Sequence, residues 1–245
     1  MSTAPAREDP LVLSPISGQH TATVIIIHGF GDSGHGWASA VEHIRRRHDR
    51  LDDVKFILPH APNIPLSIAN GRHPDEVLTS SPGRLSSLSA CQGEDVSGVL
   101  ETQSYIHSLI QTEIAAGIAP ERIILGGFSQ GGAISIFSGL AAPIKLGGIV
   151  ALSCWVLLHK GFPEYIPDED LNKDTPIFIG HGDQDWRIEY QVAIDSVALL
   201  EEAGYKITFH TYRRVFVPPV GIGHSVCREE LNEIEEFLVS VLVNG

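Results

Sequence analysis

The chain has 245 residues, 43% of them hydrophobic and 19% charged, with a formal net charge of −13 and a pI of about 5.3. That is enough apolar material for one large, two-sided core, and the acidic balance argues against nucleic-acid binding and against charge-driven attachment to anionic membrane. Three widely spaced cysteines, Cys91, Cys154 and Cys227, offer neither metal-ligand spacing nor a disulfide framework, which fits a reducing compartment.

Residues 1–20 mix charge with proline (Arg7, Glu8, Asp9; Pro5, Pro10, Pro15) and read as a flexible N-terminal tail without a signal-peptide core. No run reaches transmembrane length and the common lipid-attachment signals are lacking. The expectation is a protein with no stable membrane anchor, in the cytoplasm or in both cytoplasm and nucleus.

Residues 21–245 read as one domain of alternating strands and helices. A β-branched run over 23–27 has almost no polar interruption, as in strands covered on both faces. A helix over 37–47 places Trp37, Val41 and Ile44 on one side, and a second strand over 54–58 stops at Pro59. The stretch from about 60 to 93, rich in Pro, Gly and Ser, is too long for an ordinary connection and reads as an irregular insertion over the sheet. A long helix over 95–116 ends at Gly117, with Pro120 beyond it. Strands are expected over 122–125, 148–152, 176–180 and, at a sheet edge, 206–212; helices over 133–140, 188–203 and 228–241. Such alternation gives a mostly parallel sheet with helices on both faces, an α/β fold.

Between the strand ending at Leu125 and the helix that follows lies Gly126-Gly127-Phe128-Ser129-Gln130-Gly131-Gly132. Gly-x-Ser-x-Gly in a strand–turn–helix context makes a nucleophile elbow, so tight that Gly127 and Gly131 cannot carry side chains. The bland alternative is a glycine-rich turn in which Ser129 caps the helix. A serine hydroxyl needs a base and a carboxylate to orient that base. In the order Ser, acid, His, the chain offers Asp183 or Asp185 past the 176–180 strand and His224 before the last helix. The carboxylate not used would hold its turn through backbone amides. His28 and His181 each precede a glycine at a strand end and are expected to shape turns. The amides of Phe30, after the first strand, and Gln130, after the nucleophile, are the candidate oxyanion donors.

These residues carry a resemblance to the acyl-protein thioesterase branch of the phospholipase/carboxylesterase family, within the α/β-hydrolase superfamily. The matching blocks include His28-Gly29-Phe30-Gly31-Asp32-Ser33-Gly34-His35-Gly36-Trp37, Pro59-His60-Ala61-Pro62, the Ser129 elbow, His181-Gly182-Asp183-Gln184-Asp185 and Gly223-His224-Ser225. The resemblance implies a serine hydrolase that removes palmitoyl groups from protein cysteines. Its nucleophile, acid and base would be Ser129, Asp185 and His224, its oxyanion amides those of Phe30 and Gln130, and it would need no metal or cofactor. Its substrates would be S-acylated proteins or small acyl esters.

Two stretches depart from the family pattern. Residues 70–78 lack the aromatics that usually follow the Pro-His-Ala-Pro block, and the link from Tyr212 to Gly221 is lengthened by an apolar, proline-containing segment at 215–220. They motivate two rivals: a small-ester carboxylesterase or lysophospholipase with the same chemistry, and a non-catalytic ligand-binding protein on a hydrolase fold.

Overall fold

The computed structural model describes residues 7–61, 85–88, 94–213 and 223–243. In chain order its main elements are strands β1 (Leu11–Leu13) and β2 (Ala22–Ile27), helix α1 (Gly34–Arg46), strand β3 (Val54–Leu58) and helix α2 (Val96–Ala115). There follow β4 (Ile123–Phe128), α3 (Gln130–Leu140), β5 (Gly148–Leu152), β6 (Ile177–Gly182), α4 (Tyr190–Glu202), β7 (Ile207–Tyr212) and α5 (Arg228–Leu242).

The strands form one sheet in the order β1-β3-β2-β4-β5-β6-β7. All neighbours are parallel except β1, which runs antiparallel to β3 with Leu11 opposite Leu58 and Leu13 opposite Phe56. Alternate residues feed two cores. Ile25, Leu125 and Ile179 point to the face covered by α2, α3 and α4. Val24, Ile124 and Phe178 point to the face covered by α1 and α5, where Trp37, Val41 and Ile44 meet Ile234 and Leu238. Each inner strand is buried on both sides, which is why its sequence shows no polar alternation. The sheet is that of an α/β-hydrolase, and its direction of travel reverses between β2 and β4. At such a switch point the loops leaving the carboxyl ends part and open a crevice.

The N-terminal segment departs from the expectation of a tail over 1–20. Leu11–Leu13 pair with β3, and Ser17 N–H and Thr21 N–H donate to the carbonyls of Asp52 and Asp53. The run is short and flanked by prolines, so only its non-local partner makes it a strand. Within the 60–93 insertion, Leu85 returns to the body of the protein. Its N–H donates to the Arg187 carbonyl (2.7 Å), its carbonyl accepts from Glu189 N–H (2.9 Å), and it forms a parallel bridge with Ile188. The 70–78 and 215–220 departures lie outside the described residues.

Candidate active site

Ser129 stands between β4 and α3 with φ 56° and ψ −120°, a conformation that costs a non-glycine residue of order 1–3 kcal/mol. Neighbouring packing over-determines it. Ser129 N–H donates to the Leu152 carbonyl of β5, and its carbonyl accepts from Ala133 N–H in α3. The two motif glycines are needed for close approach. A Cβ on Gly127 would lie 2.7 Å from the Ile27 carbonyl oxygen, and one on Gly131 would overlap that same oxygen and come within 2.6 Å of the His28 carbonyl. Although Ser129 occupies the N-cap position of α3, its side chain makes no capping bond. The hydroxyl is turned elsewhere, so the capping alternative falls away.

It is turned toward His224. Ser129 Oγ lies 2.8 Å from His224 Nε2, and His224 Nδ1 lies 2.7 Å from Asp185 Oδ2. The imidazole thus donates from Nδ1 to the carboxylate and accepts the serine hydroxyl at Nε2. All three groups are nearly closed to solvent: Ser129 and Asp185 are each 5% exposed, and the His224 side chain 10%. Phe128, the last residue of β4, packs its ring 4.8 Å from the His224 ring and is itself backed by Trp37 at 5.5 Å. An aromatic wall therefore limits the swing of the imidazole. His224 thus reaches the Ser129 hydroxyl.

The two aspartates differ in geometry. Asp185 Oδ1 accepts from the backbone N–H groups of Arg187 (2.8 Å) and Ile188 (2.9 Å), which leaves Oδ2 aimed at His224. The same carboxylate therefore holds the turn and orients the imidazole. Asp183 has a buried Oδ1 with no hydrogen-bond partner among the described residues, and its backbone N–H donates to the Tyr212 carbonyl (3.0 Å). Asp185 is further fixed by Leu85, whose backbone brackets the 187–189 segment.

The two histidines expected to shape turns do so. His28 Nδ1 bonds the Gly29 carbonyl (2.8 Å) while Nε2 accepts from Ala61 N–H (3.2 Å), tying the loop after β2 to the loop after β3. His181 Nε2 donates to the Ile188 carbonyl (2.9 Å). Burial lowers its pKa, and it sits neutral behind Asp185.

Phe30 lies in the turn after β2, where Asp32 N–H donates to the Gly29 carbonyl and Gly31 takes φ 74°. That turn adjoins the nucleophile: a Cβ on Gly29 would be 3.2 Å from Ser129 Cβ. Gln130 opens α3 and is buried. Sequence reasoning missed Phe128 and Trp37 as the imidazole's backing, and also Trp186. The latter follows Asp185, is 60% exposed, and crowds Gly223 so closely that a Cβ there would lie 2.6 Å from its Nε1. Among the described residues no group of acids, histidines and cysteines is arranged to hold a metal ion, and no helix is long and apolar enough to cross a membrane.

A parallel α/β sheet carrying serine, histidine and aspartate in hydrogen-bonded sequence at its carboxyl rim defines a serine-hydrolase type of α/β-hydrolase. Residues 8–242 match the family model described as Phospholipase/Carboxylesterase, and the chain belongs to that family. It is therefore a hydrolase of the esterase/thioesterase class. Acyl-protein thioesterase 1 of Neurospora crassa is 49% identical over 237 residues, covering 97% of this chain and 93% of that protein. Acyl-protein thioesterase 1 of Gibberella zeae is 48% identical over 234 residues, 95% of each. Among solved structures, Arabidopsis thaliana SOBER1 superposes with a TM-score of 0.73 at 30% identity, covering 91% of this chain and 99% of that one. Zea mays acyl-protein thioesterase 2 gives 0.73 at 23% identity over 95% of this chain and 98% of its own, a likeness of fold.

Proposed function

We propose that this protein removes acyl groups, palmitoyl above all, from cysteine thioesters of other proteins, through an acyl-enzyme on Ser129. The observation that carries the reading is the unbroken relay from Ser129 Oγ to His224 to Asp185, with contacts of 2.8 and 2.7 Å. The substrate class is supported by near-full-length relatives, 49% and 48% identical, that are called acyl-protein thioesterase 1. Ser129 attacks the thioester carbon as His224 Nε2 takes its proton. Asp185 holds the imidazole in the Nδ1–H tautomer and stabilises the imidazolium, which then protonates the leaving thiolate. Water repeats the sequence on the acyl-enzyme and releases the fatty acid. The amides of Phe30 and Gln130 receive the oxyanion, a role supported by the contact between the Gly29 turn and Ser129. No metal or cofactor enters these steps. The substrate is a palmitoylated protein met in the cytoplasm or nucleus without a stable membrane anchor.

The test has two arms. Fluorophosphonate treatment of the folded protein is expected to add one adduct at Ser129, and an unchanged intact mass would remove the serine-hydrolase reading. Turnover of a palmitoylated peptide is then compared with that of p-nitrophenyl acetate and p-nitrophenyl palmitate. Acetate cleavage with no action on either palmitoyl substrate would instead assign a small-ester carboxylesterase. Tight ester binding without turnover, unchanged by Ser129→Ala, would assign a ligand-binding protein.

A further inference from the structure

Behind the relay lies a carboxyl group for which the hydrolytic steps have no use. Glu230, in the first turn of α5, is 2% exposed, and its Oε1 has no hydrogen-bond partner among the described residues. Its side chain fills the space left open by Gly180 of β6, where any Cβ would overlap that oxygen. Cys227 Sγ, at the N-cap of α5, accepts from Glu230 N–H (3.4 Å), and the Glu230 carboxyl faces the Cys227 N–H in return. The pattern is that of a capping box, with cysteine in the usual serine or threonine place. One side chain therefore touches both supports of the His–Asp hydrogen bond: β6, which leads to Asp185, and the α5 start, which follows His224 by three residues.

Among the described residues, the titratable groups around Glu230 are acidic or neutral apart from His210, which lies opposite Gly180 on β7 and is engaged by Glu233. Asp185 follows β6, Glu233 lies one turn further along α5, the Tyr212 hydroxyl is on β7, and the Cys227 thiol precedes α5. Glu233 is itself occupied by His210 Nδ1 and Tyr212 Oη, each at 2.5 Å. A dry carboxyl among other acids keeps its proton. Burial, opposed by the Cys227 N–H and reinforced by Glu233 and Asp185, pushes the Glu230 carboxyl up to about 8.

We propose that Glu230 is a positioning residue for the His224–Asp185 pair, keying the start of α5 to β6 as an uncharged acid and loosening that fit when it ionises. The role rests on the hydrolytic reading above. Ionisation places a second unsolvated negative charge beside Asp185, and the relief available is movement of α5, which carries the His224 loop with it. The native state holds a proton that the unfolded chain has lost, so stability declines as pH rises from the ordinary glutamate range through the raised value.

Two properties of wild type and Glu230→Gln, followed from pH 6 to 10, test this: the fluorophosphonate labelling rate of Ser129 and the melting temperature. Gln keeps the shape and cannot ionise. The wild-type labelling rate is expected to fall about tenfold between pH 7 and 9, the loss expected when the active form is the one still protonated, while the melting temperature falls from pH 6 to about 8 and levels off above it. Both should be flat in the variant from pH 7 upward. Coincident labelling profiles in the two proteins overturn the proposal and leave the hydrolase reading intact. If wild type fails to label at any pH, that reading falls, and the melting curves alone judge whether Glu230 is the pH-sensitive lock. Should the variant not fold, carboxyl-carbon NMR of glutamate-labelled wild type replaces it. A resonance titrating near 8 supports the proposal, and all glutamates titrating below pH 6 would overturn it.

Discussion

Replacing Gly131 by alanine puts the steric account of the nucleophile turn to a quantitative test. The added Cβ would overlap the Ile27 carbonyl oxygen and sit 2.6 Å from that of His28, both backbone atoms at the end of β2. Neither can rotate away. The His28 contact alone must open to at least 3.0 Å, the lower limit for real Cβ contacts, and the Ile27 contact further still. The first turn of α3 therefore has to lift from the sheet by about 0.5–1 Å, taking Ser129 and Gln130 with it. Overpacking of this kind costs about 1–3 kcal/mol. For a chain of this size that corresponds to a melting-temperature drop of about 2–12 °C. Displacement of a nucleophile by about 1 Å costs ~10²-fold in rate, so the fluorophosphonate labelling rate should fall by about 10- to 100-fold even well below the melting point. Gly117→Ala is the control. That position has φ 98° with nothing within 4 Å, so alanine there strains the backbone at about 1–2 kcal/mol without moving the site. Calorimetry and labelling kinetics on both variants separate the effects. If Gly131→Ala labels within twofold of wild type and melts at the same temperature, the close-packed turn described above is wrong.

Other substitutions probe the remaining links. Asp185→Asn should keep most of the fold but present the wrong hydrogen-bonding partner to His224 Nδ1, lowering kcat by about 10³–10⁴-fold; steady-state hydrolysis of p-nitrophenyl acetate reads it directly. Asn172→Ala attacks the scaffold alone. Asn172 is fully buried, donates to the carbonyls of Ala142 and Ile144, and accepts from Leu146 N–H and Thr175 Oγ1. Its loss should cost about 2–4 kcal/mol in urea unfolding with kcat unaltered at 20 °C, and an unchanged midpoint would contradict the assigned network. Acid should also weaken the protein through His181. Burial depresses its pKa, so the stability it lends is present above the ordinary histidine value near 6.5 and drains away as pH falls. In Glu230→Gln, where the opposing carboxyl contribution is absent, melting temperatures should therefore decline from about pH 6.5 to 5, and a flat response there would contradict the neutral, buried assignment.

Features written in local sequence were legible before any coordinates. The uninterrupted apolar run of β2 announced a strand covered on both faces, and all six of its residues are buried. The Ser129 turn was legible because its steric demands fall on two glycines at fixed offsets. Long-range features were not. Leu11–Leu13 is an ordinary apolar triplet until β3 lies beside it. Asp183 and Asp185 are alike as residue types two positions apart in one loop; the family resemblance picks Asp185, and what their own sequence does not reveal is that the Arg187 and Ile188 amides hold its carboxylate. Glu230 belongs to a stretch, Arg228-Glu229-Glu230, that looks like a solvated helix start. Its burial comes from Gly180, a residue fifty positions earlier in the chain, which leaves a hollow that no residue pattern records.

The short N-terminal strand has a practical corollary for handling the protein. Val54–Leu58 would otherwise present a row of unpaired amide and carbonyl groups at the sheet margin, a ready template for another chain. Trimming the first fourteen residues as dispensable would uncover that template, and such shortened protein should self-associate while its catalytic centre stays whole.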